Sequence, residues 1–393
     1  MITTKRGVIG LGLAILVLGC IGQSAFARKV GPEFRVSTTT ATSQVPPTQA
    51  AVLSNGDFVV AWKEVSFTGQ DEPSYRTRAK RFTATGQRTG SEFAVGSFNE
   101  FVGGPSAIIP LNSGGGFIII VRTDEGPQGQ RYGGGGAPIG GAFPVSGGRA
   151  AGLTNGGFVA VSFDSSTKIV LGQRYTNGGA PVGSAFPVNL GGSAILDVAG
   201  LTDGGFVVVW SWAHQDGSGY GIYGRRFNAS ATPVGGVFRV NNYTDNHQTS
   251  PAVAGLANGG FIVTWQSGAQ DGSREGVYAQ RFNALATRSG GEFRVNTYTA
   301  SRQLAQHVAG LTDGGFVVVW ASYLQDGSAY GVYGKRYNSA GLPASNEFRV
   351  SNETEGSQDG GDVAAFANGG FVITWSSSSQ NAIFGQRYLP DAP

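Results

Sequence analysis

The residues best suited to chemistry recur at equal intervals in the second half of the chain. Three copies of Gln-Asp-Gly-Ser are each accompanied by aromatic residues nearby. Aromatic rings offer a flat apolar face, and amides and carboxylates fix the geometry of hydrogen bonds, as carbohydrate or protein recognition requires. The predicted ligand-binding residues are Trp212, Gln215, Asp216, Tyr243, Gln270, Asp271, Tyr298, Tyr323, Gln325 and Asp326.

The same tetrapeptides have a structural interpretation. Asp-Gly-Ser is typical of a tight turn, and a neighbouring glutamine can satisfy the backbone of a loop. Because the tetrapeptide returns in every intact repeat, we favour this role in loop geometry over ligand recognition. Combined substitution of Asp216, Asp271 and Asp326 would separate the two interpretations, since only recognition predicts lost binding at unchanged stability.

If the protein is an enzyme, the first residues to consider are acids that do not repeat. The first candidates for a carbohydrate-active hydrolase or lyase are Glu64, Asp71, Glu72 and Asp124. Their spacing along the chain does not exclude a catalytic pair, because a ring-shaped fold brings distant residues together at its axis. No nucleophile elbow and no phosphate-binding loop is present in the sequence.

Metal and nucleic-acid chemistry gain no support from the sequence. The histidines are His214, His247 and His307, and they form none of the usual metal-ligand spacings. The formal net charge is only +3, which does not favour a nucleic-acid partner. We therefore predict no metal site, no cofactor and no nucleic-acid partner.

The elements that position these residues belong to an internal repeat. Gly200–Trp210 recurs unchanged as Gly310–Trp320. A marker phenylalanine after each Asn/Asp-Gly turn, or its variant, occurs seven times, at Phe58, Phe117, Phe158, Phe206, Phe261, Phe316 and Phe371. Repeats of this length are typical of solenoids, propellers or arrays.

Each repeat contains four short segments rich in Val, Ile, Phe, Tyr and Trp, which read as strands a, b, c and d. In the fifth repeat they cover residues 252–256, 261–265, 276–282 and 292–295. Strand b is apolar on both faces, as in Phe206–Trp210, and must be buried from both sides. Face-to-face stacking of four-stranded blades provides that burial, so the sequence predicts an all-β, seven-bladed β-propeller over residues 28–393.

The two ends of the repeat array predict how the ring closes. The mature chain begins with a lone d segment at 33–36 and ends after a c segment at 383–388. The N-terminal strand is therefore expected to complete the last blade as its outer strand. This closure is similar to that of WD-repeat propellers, whose Gly-His and Trp-Asp signatures are absent here.

The basic residue of strand c also recurs, and we interpret it as an inter-blade hydrogen-bond donor. The residues concerned are Arg174, Arg226, Arg281, Arg336 and Arg387.

The repeat resembles one found in secreted and surface bacterial proteins. The motifs that carry the likeness are Asp313–Trp320, Gln325–Ser328, Gly331–Tyr337 and Glu347–Val350. The resemblance implies an extracellular propeller and does not identify a ligand. The Gly-Gly-x-Gly-x-Asp nonapeptide that accompanies many relatives is absent, so calcium binding of that kind is not implied.

The first residues predict export. Lys5 and Arg6 precede an apolar run over 8–21, and Ala25-Phe-Ala27 is typical of a signal-peptidase site. We predict a signal peptide over residues 1–27 and a secreted, periplasmic or cell-surface protein. The alternative is a lipobox at 17–20, which would leave a lipid anchor on Cys20.

Later segments add no membrane span, because glycines and polar residues interrupt every hydrophobic run. Cys20 is the only cysteine, so no intramolecular disulfide can form.

The sequence thus predicts an exported, non-catalytic binding or scaffold propeller for a carbohydrate or protein ligand. The hydrolase or lyase is the alternative, and a structural part of a larger assembly is a third hypothesis. The marker phenylalanines of blades two, three and four lie only 41 and 48 residues apart, against 55 later in the chain. Any specific function is expected to follow this asymmetry.

Overall fold

A computed structural model describes residues 27–39, 42–67, 73–96, 104–189, 191 and 195–390. The predicted signal peptide, apart from Ala27, lies outside these ranges, as do Cys20, Asp71 and Glu72. Within the described ranges, no helix is long and apolar enough to cross a membrane.

Every regular element that the structure describes is a β-strand, and the strands form seven four-stranded antiparallel sheets. Blade 1 contains β2 (Ser43–Val52), β3 (Phe58–Ser66), β4 (Ser74–Phe82) and β5 (Arg88–Ala94). Blade 2 contains β6 (Gly104–Pro110), β7 (Phe117–Thr123), β8 (Gly126–Tyr132) and β9 (Phe143–Pro144). Blade 3 contains β10 (Arg149–Gly152), β11 (Phe158–Asp164), β12 (Ile169–Tyr175) and β13 (Pro181–Pro187).

The near-identical repeats form the next blades. Blade 4 contains β14 (Leu196–Gly200), β15 (Phe206–Ala213), β16 (Tyr220–Phe227) and β17 (Pro233–Arg239). Blade 5 contains β18 (Gln248–Gly255), β19 (Phe261–Gly268), β20 (Glu275–Phe282) and β21 (Phe293–Arg294). Blade 6 contains β22 (Gln303–Gly310), β23 (Phe316–Tyr323), β24 (Tyr330–Tyr337) and β25 (Phe348–Arg349).

Blade 7 joins the two ends of the chain. Its sheet contains β26 (Gln358–Ala365), β27 (Phe371–Ser377), β28 (Ala382–Tyr388) and β1 (Lys29–Arg35). Strand β1 is antiparallel to β28, with Lys29 opposite Tyr388 and Arg35 opposite Phe384. The predicted seven-bladed propeller and its closure by an N-terminal outer strand are both confirmed.

The first strand of each blade lines the central axis. Strand β2 contacts β6 on one side and β26 on the other, and the first strands of the remaining blades contact their neighbours in the same way. These contacts run completely around the ring. The fourth strand of each sheet therefore lies at the outer rim.

The core lies between the blades, as the doubly apolar second strand predicts. In β15, Val208 and Trp210 pack toward blade 3, whereas Val207 and Val209 pack toward blade 5. All four side chains are fully buried. Burying one such aliphatic side chain contributes about 1.5–3 kcal/mol. Because the chain cannot form an intramolecular disulfide, its stability depends on this packing, which is repeated between successive blades.

All four strands of the fifth repeat differ in their limits from the prediction, and the first and the last differ most in kind. Strand β18 begins at Gln248, four residues before the predicted start at Ala252, because a register shift between Thr249 and Ala252 accommodates Pro251 in the ladder. Strand β21 is confined to Phe293–Arg294.

The inter-blade role predicted for the strand-c arginines holds for only part of the set. Arg226 and Arg336 bind Asp203 and Asp313, which lie in the a–b turns of their own blades. For these two arginines the prediction is wrong, because a carboxylate in the nearest turn attracts the guanidinium more strongly than a neighbouring carbonyl does.

In two blades whose turn carries an asparagine, the arginine reaches the next blade. Blade 5 has Asn258 at this position, and Arg281 donates to the carbonyls of Ser339 and Ala340 in blade 6. In blade 7 the turn carries an asparagine as well, and Arg387 donates to a carbonyl in blade 1. Blade 3 also carries an asparagine, Asn155, in this turn, but no inter-blade hydrogen bond of Arg174 is seen within the described residues, so the inter-blade role is confirmed only for Arg281 and Arg387.

Candidate functional site

The b–c loops and the connections from each d strand to the next a strand lie on one face, which we call the loop face. In blade 4, the Asn241 amide donates to the Asp216 carboxylate over 3.1 Å. In blade 5, Asn296 donates to Asp271 over 3.3 Å. Each bond joins a b–c loop to the connection that follows the same blade.

These asparagines are centres of loop structure. Asn296 is almost fully buried. Its amide group also donates to the carbonyl oxygen of Tyr298 over 2.8 Å and to the Gln303 side chain over 3.1 Å, while its own oxygen accepts from the Val277 amide over 2.8 Å. Asp271, a predicted ligand-binding residue, is one member of this internal network.

The predicted glutamines of blades 5 and 6 are engaged in a second network. Gln270 donates to Glu292 over 2.7 Å, and Gln325 donates to Glu347. Glu292 also accepts the backbone N–H of Asn242, which belongs to the preceding connection. The glutamate of the Glu-Phe-Arg-Val motif therefore ties adjacent blades together.

Blade 4 lacks this support. Val237 stands where blade 5 has Glu292, and Val237 is 42% exposed. Gln215 is exposed at the loop face. Among the repeated glutamines, Gln215 is thus the one whose glutamate counterpart has been replaced.

The predicted aromatic residues lie in different surroundings. Trp212 is half-buried, contacts the Tyr223 ring edge-on with the ring centres 5.5 Å apart, and is overlain by Gly191, where a β-carbon would come within 2.6 Å of the indole. Tyr243, Tyr298 and Tyr323 are each partly exposed on the loop face.

The last predicted residue, Asp326, is less fully engaged than its counterparts. Ser351 replaces the asparagine that binds the equivalent carboxylate in blades 4 and 5. The backbone amide of Ser328 donates to Asp326 Oδ1 over 3.4 Å. The structure thus brings the predicted residues together blade by blade, with Asp216, Asp271, Gln270 and Gln325 holding loops.

A second site lies at the axis of the ring. The inner strands surround a cavity of about 1010 Å³, which we call the axial cavity. On the side of blades 2 and 3 its lining includes Thr123, Gly126 and Ser162, which lie beside the short b–c turns. The cavity is therefore at the loop-face end of the axis, beside the blades whose loops are shortest.

One residue from each blade lines this cavity at the same height. In each blade, the residue concerned pairs with the second-strand residue that lies three positions after the marker phenylalanine. Arg149 is thus opposite Val161, and Asp197 is opposite Val209. The set, which we call the axial tier, comprises Gln49, Ala107, Arg149, Asp197, Ala252, His307 and Asp362. Unlike the loop motifs, the axial tier does not repeat in sequence.

Asp197 is a partly exposed member of the axial tier. Its Oδ2 accepts the backbone N–H of Val253 in the next blade over 2.9 Å. Burial among the surrounding strands raises the pKa of the Asp197 carboxyl above its usual range, while the charges of Arg149 and His307 oppose this effect. The carboxyl therefore retains its proton to a higher pH than a free aspartate does.

His307 and Asp362 form a pair across the interface of blades 6 and 7. The distance between His307 Nδ1 and Asp362 Oδ1 is 3.1 Å. Asp362 also accepts the backbone N–H groups of Ala50 over 2.8 Å and of Val363 over 2.9 Å. When Nδ1 carries the proton that the carboxylate accepts, His307 Nε2 is left as an acceptor.

Two arginines lie on the opposite side of the axial cavity. Arg122, on β7, and Arg149, at the start of β10, are both exposed and both line the cavity. Neither has an ion-pair partner within the residues that the structure describes.

Glu64 and Asp124, the two acids predicted for an enzyme that the structure describes, do not line this cavity. Glu64 is buried and binds Thr42 over 2.6 Å and Arg78 over 2.8 Å. Burial alone would raise the pKa of Glu64, but these hydrogen bonds outweigh burial and hold the pKa below its usual value. Asp124 is exposed on the β7–β8 turn. Across the described ranges, no three His, Cys, Asp or Glu residues are grouped to hold a metal ion.

Sequence reasoning missed the axial tier, although a signal was present. In blades 1 and 3 to 7 its residue precedes the marker phenylalanine by nine positions, as Asp197 precedes Phe206. That column of the repeat contains Gln, Arg, Asp, Ala, His and Asp within otherwise apolar strands. Variation at a fixed position of an inner strand is the pattern that would have revealed these residues.

No protein-family model matches the sequence, and no curated protein matches it. Solved structures with a similar fold include a protein of unknown function from Dyadobacter fermentans, at 11% identity and a TM-score of 0.55, covering 92% of this chain and 98% of that one. A fungal alcohol oxidase in complex with copper matches at 13% identity and a TM-score of 0.55, covering 93% and 76%.

The β-propeller domain of the Trilobed protease from Pyrococcus furiosus matches at 7% identity and a TM-score of 0.51, covering 89% of this chain and 94% of that one. At these identities the similarity shows the propeller fold alone.

Proposed function

We propose that the protein is an exported, non-catalytic binding propeller that takes a carbohydrate or protein ligand at the axial cavity of its loop face. The observation that carries this proposal is the axial tier, where non-repeating polar residues from separate blades meet in one cavity. The propeller fold is consistent with a binding or scaffold role.

The contrast between the two sets of polar residues favours the cavity over the repeated loop motifs. Asn241, Asn296, Gln270 and Gln325 use their polar atoms to hold loops, and the same contacts recur from blade to blade. A cavity of about 1010 Å³ is at the upper end of the volumes typical of ligand sites. Its amide, carboxyl, imidazole and guanidinium groups offer both donors and acceptors to a polyhydroxylated ligand.

Export remains part of the proposal and has its own support. The charged and apolar residues of the first 27 positions favour cleavage by signal peptidase, and the repeat resembles that of secreted and surface bacterial proteins. The alternative is a lipid on Cys20. Mass spectrometry of the mature N-terminus tests both, because cleavage after Ala27 leaves Arg28 as the first residue, whereas lipidation leaves a modified Cys20 and globomycin-sensitive processing.

A glycan array probed with mature protein tests the binding function. Ser146 is exposed at the cavity lining, so Ser146→Trp is expected to obstruct the cavity with little effect on packing. The matched control is Ser184→Trp, at an exposed position of the outer strand β13. Binding that Ser146→Trp removes and Ser184→Trp retains supports the site. Retention by both variants would place recognition elsewhere.

A carbohydrate-active hydrolase or lyase is the second candidate. The observation that favours it is the presence, in one cavity, of the His307–Asp362 pair and of Asp197, whose pKa is raised. A carboxyl group with a raised pKa in the same cavity as a histidine–carboxylate pair is an arrangement typical of general acid–base catalysis. A polysaccharide-degradation screen distinguishes the two functions, since turnover abolished by His307→Ala at unchanged stability would establish an enzyme.

A further inference from the structure

We propose that the axial cavity recognises carboxylate groups of an acidic saccharide, a uronate oligomer, through Arg122 and Arg149. This inference rests on the proposed binding function and specifies the chemistry of its ligand. Arginine presents a planar fork of donors that matches a carboxylate in two parallel hydrogen bonds.

The two arginines lie beside one another at the wall of the axial cavity. A β-carbon built on Gly148 would lie 3.7 Å from Arg122 Cδ and 3.9 Å from its Nε, so the Arg122 side chain runs along the residue that precedes Arg149. Both arginines are exposed to the cavity. Both guanidinium groups are therefore accessible to an anionic group of a ligand in the cavity.

Their placement follows from the shortened blades. The b–c turn of blade 2 consists of only a few residues between Thr123 and Gly126, whereas blades 4 to 6 carry Gln-Asp-Gly-Ser loops here. In blade 3, the chain just before β10 passes close to β11 at Gly147. Only glycine fits there, because a β-carbon would lie 2.1 Å from the Val161 carbonyl oxygen. The short turn and the close approach leave both guanidinium groups uncovered.

No acid of the axial tier forms an ion pair with Arg122 or Arg149 within the described ranges, although the charge of Arg149 acts on Asp197. Asp362 accepts from two backbone amides and faces His307, and Asp197 accepts from the Val253 amide. Their remaining acceptor capacity, with the amides of Gln49 and Gln266, suits hydroxyl groups. A ligand that carries a carboxylate beside several hydroxyls can contact the arginines on one side of the cavity and the acceptors on the other.

Calorimetric titration with tetragalacturonate and with its fully methyl-esterified form tests the inference. The two probes differ only in the charge of the carboxyl groups. We expect wild-type protein to bind the acid form at least about tenfold more tightly than the ester, since loss of a charge-assisted hydrogen bond is of that order. We expect this preference to weaken with added salt.

Arg122→Gln and Arg149→Gln are each expected to weaken binding of the acid about tenfold and to leave the melting temperature unchanged. Arg149→Lys keeps the charge but loses the fork, so it is expected to recover part of the affinity. The control is Arg274→Gln, at an exposed arginine in the b–c loop of blade 5, which should bind as wild type does.

The outcomes separate this inference from the proposed function. Equal binding of acid and ester, or binding that neither arginine substitution weakens, overturns the carboxylate site. If Ser146→Trp still abolishes that binding, the binding function of the cavity survives. A third outcome is that neither tetragalacturonate nor its ester binds, while the glycan array identifies another ligand whose binding Ser146→Trp blocks. That outcome overturns the uronate class alone. A protein that binds no glycan, protein partner or uronate loses both proposals.

Discussion

At the residue scale, the Asp197 carboxyl combines an inter-blade hydrogen bond with a raised pKa. An aspartate in an unfolded chain titrates near pH ~3.9. Because the folded state holds this proton more tightly, the stabilising effect of protonated Asp197 is complete below that pH. It is lost as the pH rises through the raised folded pKa.

Asp197→Asn is therefore expected to melt at a higher temperature than wild type at pH ~7 and at nearly the same temperature at pH ~3.5. The asparagine oxygen still accepts the Val253 N–H, and the side chain carries no charge to desolvate. Thermal unfolding across this pH range measures the effect. Asp124→Asn, at an exposed turn position, should show no such pH-dependent gain. A lower melting temperature for Asp197→Asn at neutral pH would contradict the expectation.

The limits of sequence reasoning are clearest at this scale. The aspartates and glutamines of Gln-Asp-Gly-Ser could be assigned to loop geometry because their repetition was visible. Arg149, Asp197, His307 and Asp362 could not be grouped, because each comes from a different repeat and only ring closure brings them to one height. Spacing along the chain carries no information about neighbours across an axis.

At the element scale, the outer strands differ in how they hold the connections of the preceding blade. Glu292, just before β21, accepts from Gln270 of its own blade over 2.7 Å and from the Asn242 N–H of the preceding connection. Removing it leaves two donors without this acceptor.

We expect Glu292→Ala to lower the free energy of unfolding by about 1–2 kcal/mol, since hydrogen bonds to a charged group are worth about 1.5–3 kcal/mol and this site is partly solvated. Denaturant titration measures the change. Gln270→Ala is expected to cost less, because the Asn242 bond survives. Equal losses for the two variants would show that the inter-blade bond contributes nothing.

Blade 4 offers the converse experiment, because Val237 occupies the glutamate position and is 42% exposed. Val237→Glu supplies an acceptor for Gln215 and removes exposed apolar surface. We expect a gain of about 0.5 kcal/mol, the lower end for a solvated hydrogen bond, and a correspondingly higher melting temperature. Val182→Glu, at an exposed valine of β13 with no such glutamine in its blade, should give no gain.

The strands themselves were largely predictable, and the failures have physical causes. The prediction placed the start of this strand at Ala252, whereas a register shift carries the β18 ladder past Pro251 to Gln248. The partners of Arg226 and Arg281 could not be read from the repeat, because they depend on whether the facing turn carries Asp203 or Asn258.

At the scale of the whole molecule, the ring depends on β1. Phe34 of this strand lies over Phe58 and Phe82 of blade 1, with ring centres 6.1 and 5.2 Å apart, while β1 itself is paired with β28. The strand therefore closes the last sheet and also contributes to the interface with the first blade.

A chain shortened to begin at Ser37 is expected to lose about 3 kcal/mol, the lower end of the cost of removing a large aromatic side chain from a core, because Phe34 is partly buried. It is also expected to associate through the exposed edge of β28. Thermal unfolding and light scattering measure both effects, and a chain beginning at Arg28 is the control. Wild-type stability of the shortened chain would show that closure by β1 is dispensable.

The axial tier has a consequence for how such a protein acquires new specificity. Each blade contributes one side chain at the same height, and the apolar residues that hold the blades together occupy other positions of the strands. A single codon change in one repeat can therefore revise one wall of the cavity while the duplicated framework stays intact. Under the proposed binding function, substitutions in this one column would change the ligand preference one blade at a time.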